Sequence, residues 1–159
     1  MKKLILILFG LFVVISCSTS DDNSNNSEIK VNFDKETFDK KRTLWQAQNL
    51  QNYSYTFEHF SSSGPYQYDV VVENDVVTSE EGRTIESLFT DIESTYNNLV
   101  QEFANGSSNP IITGVSYTIT YNSQYHYPES ISVSYSYSQL PPPGLGGYTN
   151  EIKNFQITE

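Results

Sequence analysis

Few residues in this 159-residue chain have the types and spacing that chemistry requires. Cys17 is its one thiol, so neither a disulfide nor a paired-cysteine metal site can form within the chain. His59 and His126 are the only histidines, and no HxH, HExxH or histidine–acid spacing accompanies either. Serines abound, yet the Gly-x-Ser-x-Gly elbow of a hydrolase nucleophile is missing. Glu58 and Asp69 could act as paired carboxylates on a saccharide if a fold brought them close together. Gly144-Leu145-Gly146-Gly147 has no basic neighbour and leads toward a strand pattern, which does not suit a phosphate cradle. No metal and no cofactor is expected from this inventory. Aromatic side chains are the clear excess, with twelve Tyr, nine Phe and one Trp. Most of the tyrosines share strand parity with Val and Ile and should be core. Tyr125, His126 and Tyr127 are the exception, clustered in a connection (NSQYHYP) where ligand contacts concentrate. They are the candidate ligand-binding residues, although a Tyr-Pro pair is also ordinary turn chemistry.

The surroundings of Cys17 give the chain an address. Met1-Lys2-Lys3 is a short basic start, Leu4 to Ile15 is apolar apart from Gly10, and Ser16 is small. This order is that of a secretory signal. Twelve helical residues span about 18 Å, too short for a hydrocarbon core of about 30 Å. Val14-Ile15-Ser16-Cys17 resembles the lipobox of bacterial lipoproteins, which implies lipidation of Cys17 as the first mature residue, with fatty chains such as palmitate as anchor. Two chains or more hold a protein stably, whereas one is marginal. Ser18 behind the cysteine implies, by analogy with Gram-negative lipoproteins, the outer membrane. Asp21-Asp22 look like part of a surface-export signal.

Removing the signal removes Lys2 and Lys3, leaving seven basic against nineteen acidic residues, a formal charge of −12. A nucleic-acid partner is excluded on that balance, as is an electrostatic grip on anionic lipid, so the membrane link must be the lipid itself. Residues 1–16 are thus the signal, and 17–30 the lipidated cysteine with a polar tether expected to be disordered. Residues 31–159 are one domain.

The elements of that domain follow from periodicity. Asp34 to Gln51 carries a rough helical stripe of Phe38, Leu44, Trp45, Ala47 and Leu50. From Tyr53 the period becomes two, through Tyr53, Tyr55 and Phe57, and again through Tyr66, Tyr68, Val70 and Val72. Asn74-Asp75 predicts a tight turn into a short strand at Val76-Val77. Thr84 is a predicted N-cap with Glu86 in the first turn, opening a helix along Ile85, Leu88, Phe89, Ile92, Tyr96, Leu99, Val100 and Phe103. Val115 to Tyr121 and Ile131 to Tyr137 alternate with Ser and Thr, and Tyr148 to Ile157 closes the chain as a less regular strand. Such alternation gives each strand one wet face. The expectation is an α+β fold, an antiparallel sheet of about six strands with two helices on one face, ordered helix, meander, helix, meander.

These segments resemble the bacterial lipoprotein family known as domain of unknown function 6174. The likeness rests on Trp45, Tyr53-Ser54-Tyr55-Thr56-Phe57, Thr84-Ile85-Glu86-Ser87-Leu88-Phe89, Tyr121, Tyr127-Pro128, Ser130-Ile131-Ser132, Tyr148 and Phe155. The chain departs from it where many members carry a Cys-x-Cys pair, having Ser61-Ser62-Ser63 instead. It also has Tyr121-Asn122 and His126-Tyr127-Pro128 in place of the favoured Tyr-Asp and Gly-Tyr-Pro. The resemblance implies the fold and the address and leaves the activity blank. The expected function is a non-catalytic binding or interaction role at the bacterial envelope, with a protein or a small ligand as partner. The alternatives are an envelope hydrolase using Glu58 and Asp69, and a structural accessory lipoprotein.

Overall fold

The computed structural model describes residues 30–105 and 111–158. The signal, Cys17 and the tether up to residue 29 lie outside the described residues. The chain runs β1 (Lys30–Asn32), α1 (Lys35–Ala47), β2 (Tyr53–Ser61), β3 (Tyr66–Glu73), β4 (Val76–Val77), α2 (Ile85–Ala104), β5 (Ile112–Tyr121), β6 (Pro128–Tyr137) and β7 (Tyr148–Ile157). One seven-stranded sheet has the order β1-β5-β6-β7-β2-β3-β4. The α+β class and the two meanders are as expected, but the sheet is mixed. β1 is a seventh strand, parallel to β5 with Val31 opposite Val115, and the other pairings are antiparallel. With only Val31 apolar in a three-residue run, β1 has no periodicity to reveal it; its hydrogen bonds come from a strand some eighty residues away. The meanders join where β7 pairs with β2.

Alternation sorts the residues as pleating requires. Tyr53, Tyr55, Phe57, Val70, Val72, Val115, Tyr117, Ile131, Val133 and Ile152 are buried. They meet Phe38 and Trp45 of α1 and Ile85, Leu88, Phe89 and Ile92 of α2 in one core. Phe38 packs edge-on against Phe89 at 5.4 Å and Trp45 edge-on against Tyr53 at 5.6 Å, geometries that aromatic quadrupoles favour. The other face carries Ser116, Thr118, Thr120, Ser130, Ser132, Ser134, Ser136 and Thr149, all half-buried or exposed.

Three local devices shape the edge where the candidate site lies. α1 stops at Ala47 because Asn49 turns left-handed, with φ of 50°, and reverses the chain into β2. The predicted helix stripe to Gln51 is therefore shorter by a turn. Asn74 and Asp75 both have positive φ, the geometry a two-residue hairpin needs. Thr84 caps α2 as expected, its hydroxyl accepting from the Ser87 N–H at 3.0 Å.

Candidate functional site

The last turn of α1, the reversal at Asn49, the β3–β4 hairpin and the first turn of α2 surround an open cleft of about 400 Å³. Its buried wall is Trp45 and Tyr53; its rim is Gln46, Asn49, Gln51 and Asp75, all exposed; Thr84 and Glu86 enter from the helix start. The volume is within the range of small-molecule sites.

Glu86 organises the polar side. Its Oε1 accepts from Arg42 Nε at 2.8 Å, from Arg42 Nη2, and from Gln46 Nε2 at 3.1 Å. Its Oε2 is shielded from solvent and accepts nothing from the described residues. Arg42 also donates to Glu93 Oε2 and Thr90 Oγ1, each at 2.8 Å. Burial opposes the Arg42 charge, but bonding to Glu86 and the pull of Glu86 and Glu93 outweigh it and raise its pKa. One positive charge is thus divided between two carboxylates. Below this pair, the Tyr53 hydroxyl accepts the buried Ile85 N–H at 2.9 Å. Burial pushes Tyr53 up to about 12; the Ile85 bond opposes that, and the charges of Asp75 and Glu86 add to it.

The sequence candidates lie elsewhere. Asn122 organises their turn, accepting the Gln124 and Tyr125 N–H groups on its side chain and the His126 N–H on its carbonyl. Tyr127 is buried against Phe155 with centroids 4.6 Å apart, so it belongs to the core wall. Tyr125 is half-buried on the same Phe155. His126 takes φ of 68°, and its Nδ1 lies 3.5 Å from Lys41 Nζ. The turn therefore offers a ligand His126 and part of Tyr125. Glu58 and Asp69 sit on the outer sheet face, on adjacent strands and offset by two residues, since Thr56 faces Asp69 and Glu58 faces Gln67. The Thr56 hydroxyl donates to Asp69 at 2.7 Å, and the shallow depression of about 300 Å³ beside Asp69 does not include Glu58. His59 is stacked between Tyr66 and Tyr148, with Nδ1 at 2.6 Å from Asn150 Oδ1. Among the described residues no three His, Asp or Glu converge as a metal set. No described helix is long and apolar enough to cross a membrane.

Sequence reasoning passed over the cleft because its residues come from segments up to forty positions apart. One signal did point there: Trp45, Tyr53, Thr84 and Glu86 all belong to the residues that carry the family resemblance. No curated protein and no solved structure matches the chain. Residues 37–140, which include every residue named around the cleft, match the family of unknown function DUF6174, and the chain belongs to that family.

Proposed function

We propose that the chain is a lipid-anchored protein of the bacterial envelope, held through Cys17 in the outer membrane, whose domain has a non-catalytic binding role exercised at the cleft beside Trp45. The anchor is supported by the signal-like segment and the Val14-Ile15-Ser16-Cys17 sequence. The thirteen peptide steps from Cys17 to Lys30 reach at most about 45 Å, enough to hold the domain clear of the bilayer. One observation carries the binding role: a cleft of about 400 Å³ ringed by amides and carboxylates over an aromatic wall. Ligand sites have this composition, with few polar groups placed against apolar surface. The hydrolase alternative draws less support from the geometry, since Glu58 and Asp69 lie on a flat sheet face rather than across a concavity.

Fractionation of cells expressing the full chain tests the anchor. The native protein should sediment with membranes and partition into detergent, and Cys17→Ala should release it. Globomycin should leave the signal uncleaved. A Cys17→Ala protein that stays membrane-bound, or an unacylated mature N-terminus by mass spectrometry, would refute lipid anchoring.

A further inference from the structure

We infer that the cleft takes a small organic cation, a primary ammonium or guanidinium group, with the carboxylates of Glu86 and Asp75 as its counter-charges. The inference rests on the binding role proposed above and names the chemistry of its ligand.

Charge balance is the first ground. Arg42 is shared between Glu86 and Glu93, and Lys35 between Asp39 and Glu93, so two cations face three carboxylates in that network. Asp75, across the cleft, adds a fourth acid, and no basic residue lines the cleft among the described residues. An anion is repelled there, and a neutral ligand gains hydrogen bonds without Coulomb attraction.

The second ground is the state of Glu86. The Glu86 side chain is about two-fifths exposed, so although its Oε2 is shielded and has no donor among the described residues, the carboxylate itself remains within reach of the cleft. Gln46 supplies the weakest of the three donors to the other oxygen, a neutral amide at 3.1 Å on an exposed side chain. It occupies the position where a charged donor would do better, since a charge-assisted hydrogen bond is roughly twice as strong as a neutral one. When Gln46 swings aside, an ammonium or guanidinium group can reach the Glu86 carboxylate with a second contact on Asp75. The same chemistry arrives either as a free diamine or as a Lys or Arg side chain of another protein.

The chain carries its own reporter, because Trp45, its one tryptophan, lines the cleft. The full chain in non-ionic detergent is titrated with 1,4-diaminobutane, with a short lysine peptide, and with 1,4-butanediol and glucose as uncharged controls. We expect the diamine or the peptide to change Trp45 fluorescence saturably, with affinity falling as salt rises and at least tenfold above that of the diol. The stronger of the two identifies the source. Asp75→Asn keeps a residue suited to the left-handed backbone at φ of 63° and should weaken binding roughly three- to fivefold, the scale of an exposed ion pair. Gln46→Ala should tighten it, the opposite of what loss of a ligand contact would do. Equal response to diamine and diol, or an Asp75→Asn variant that binds as the native chain does, overturns the inference. Glucose or the diol binding in place of the diamine sinks the cation while the binding role stands. Loss of the anchor in fractionation is a separate failure and leaves the titration unaffected.

Discussion

Tyr53→Phe isolates how the site is tied to the fold. The hydroxyl accepts the Ile85 N–H at 2.9 Å, and Ile85 is fully buried. This N–H belongs to the first helical residue of α2, where no helical carbonyl is available to it. Removing the hydroxyl changes almost nothing in packing but leaves a buried donor unpaired, which costs about 1–3 kcal/mol. We expect about 2 kcal/mol, a melting temperature lower by roughly 6–8 °C for a domain of about 130 residues. Tyr55→Phe is the internal control. Its hydroxyl donates to the Arg83 carbonyl in a part-buried position, and Arg83 is itself half-exposed. Water can replace that donor, so about 0.5–1 kcal/mol is expected. Urea and thermal unfolding by circular dichroism on both variants measure the difference. Equal losses, or a Tyr53→Phe protein as stable as the native one, would refute the idea that this hydroxyl secures the start of α2.

Two further outcomes can be measured on the same material. Gly147→Ala should cost more than about 2 kcal/mol or prevent folding, because the added Cβ would lie 2.1 Å from the Val133 carbonyl oxygen, and its nearest neighbours are all backbone atoms of Val133 and Ser134; soluble yield and urea midpoint report it. Alkali should unfold the domain cooperatively. Burial raises the folded pKa of Tyr53 and Tyr127 to about 12 against an ordinary value of 10, and raises Tyr55, Tyr117 and Tyr121 as well. Raised values favour the neutral hydroxyl, so their contribution is intact below pH 10 and is lost as pH rises toward 12. Tyrosinate absorbance near 295 nm should therefore lag that of free tyrosine and then rise together with loss of circular dichroism; independent titration at pH 10 would contradict this.

The elements with strict periods were legible and their meeting was not. Ser116 through Tyr121 and Ile131 through Tyr137 announce strands because one face is wet and the other packs on helices, a contrast that local sequence records. Thr84 and Glu86 mark a helix start by cap chemistry that is equally local. The register of β7 against β2 has no such record. Asn154, with φ of 53°, lies opposite the interval where the pairing jumps between Ser54 and Thr56, and that bulge keeps both Ile152 and Phe155 turned toward the core. Tyr127 was a loop residue by pattern, yet Trp45 and Phe155 draw it into the core wall, a contact that joins three distant segments. The cleft was hidden for the same reason, though its aromatic floor and capped helix were each visible alone.

Its location has a general cause. In a sheet covered on one side, a strand residue either packs under a helix or stands on the flat outer face, so acids in mid-strand such as Glu58 and Asp69 have no concavity to share. Polar groups can gather around a hollow where helices end, because helix ends must leave the sheet surface and carry backbone groups that require polar partners. Here α1 ends and α2 begins at the same edge, and the hairpin at Asp75 rises beside them. The left-handed Asn49 and the cap at Thr84 fix how far each helix extends, and so fix the width of the opening. Arg42 and Lys35 hold the helices together by bonding the acids of α2 from one side, and among the described residues no cation stands on the cleft side of Glu86. The acidity of the cleft is thus a by-product of helix pairing, and a ligand that supplies the missing charge would also strengthen the contact between the helices that frame it.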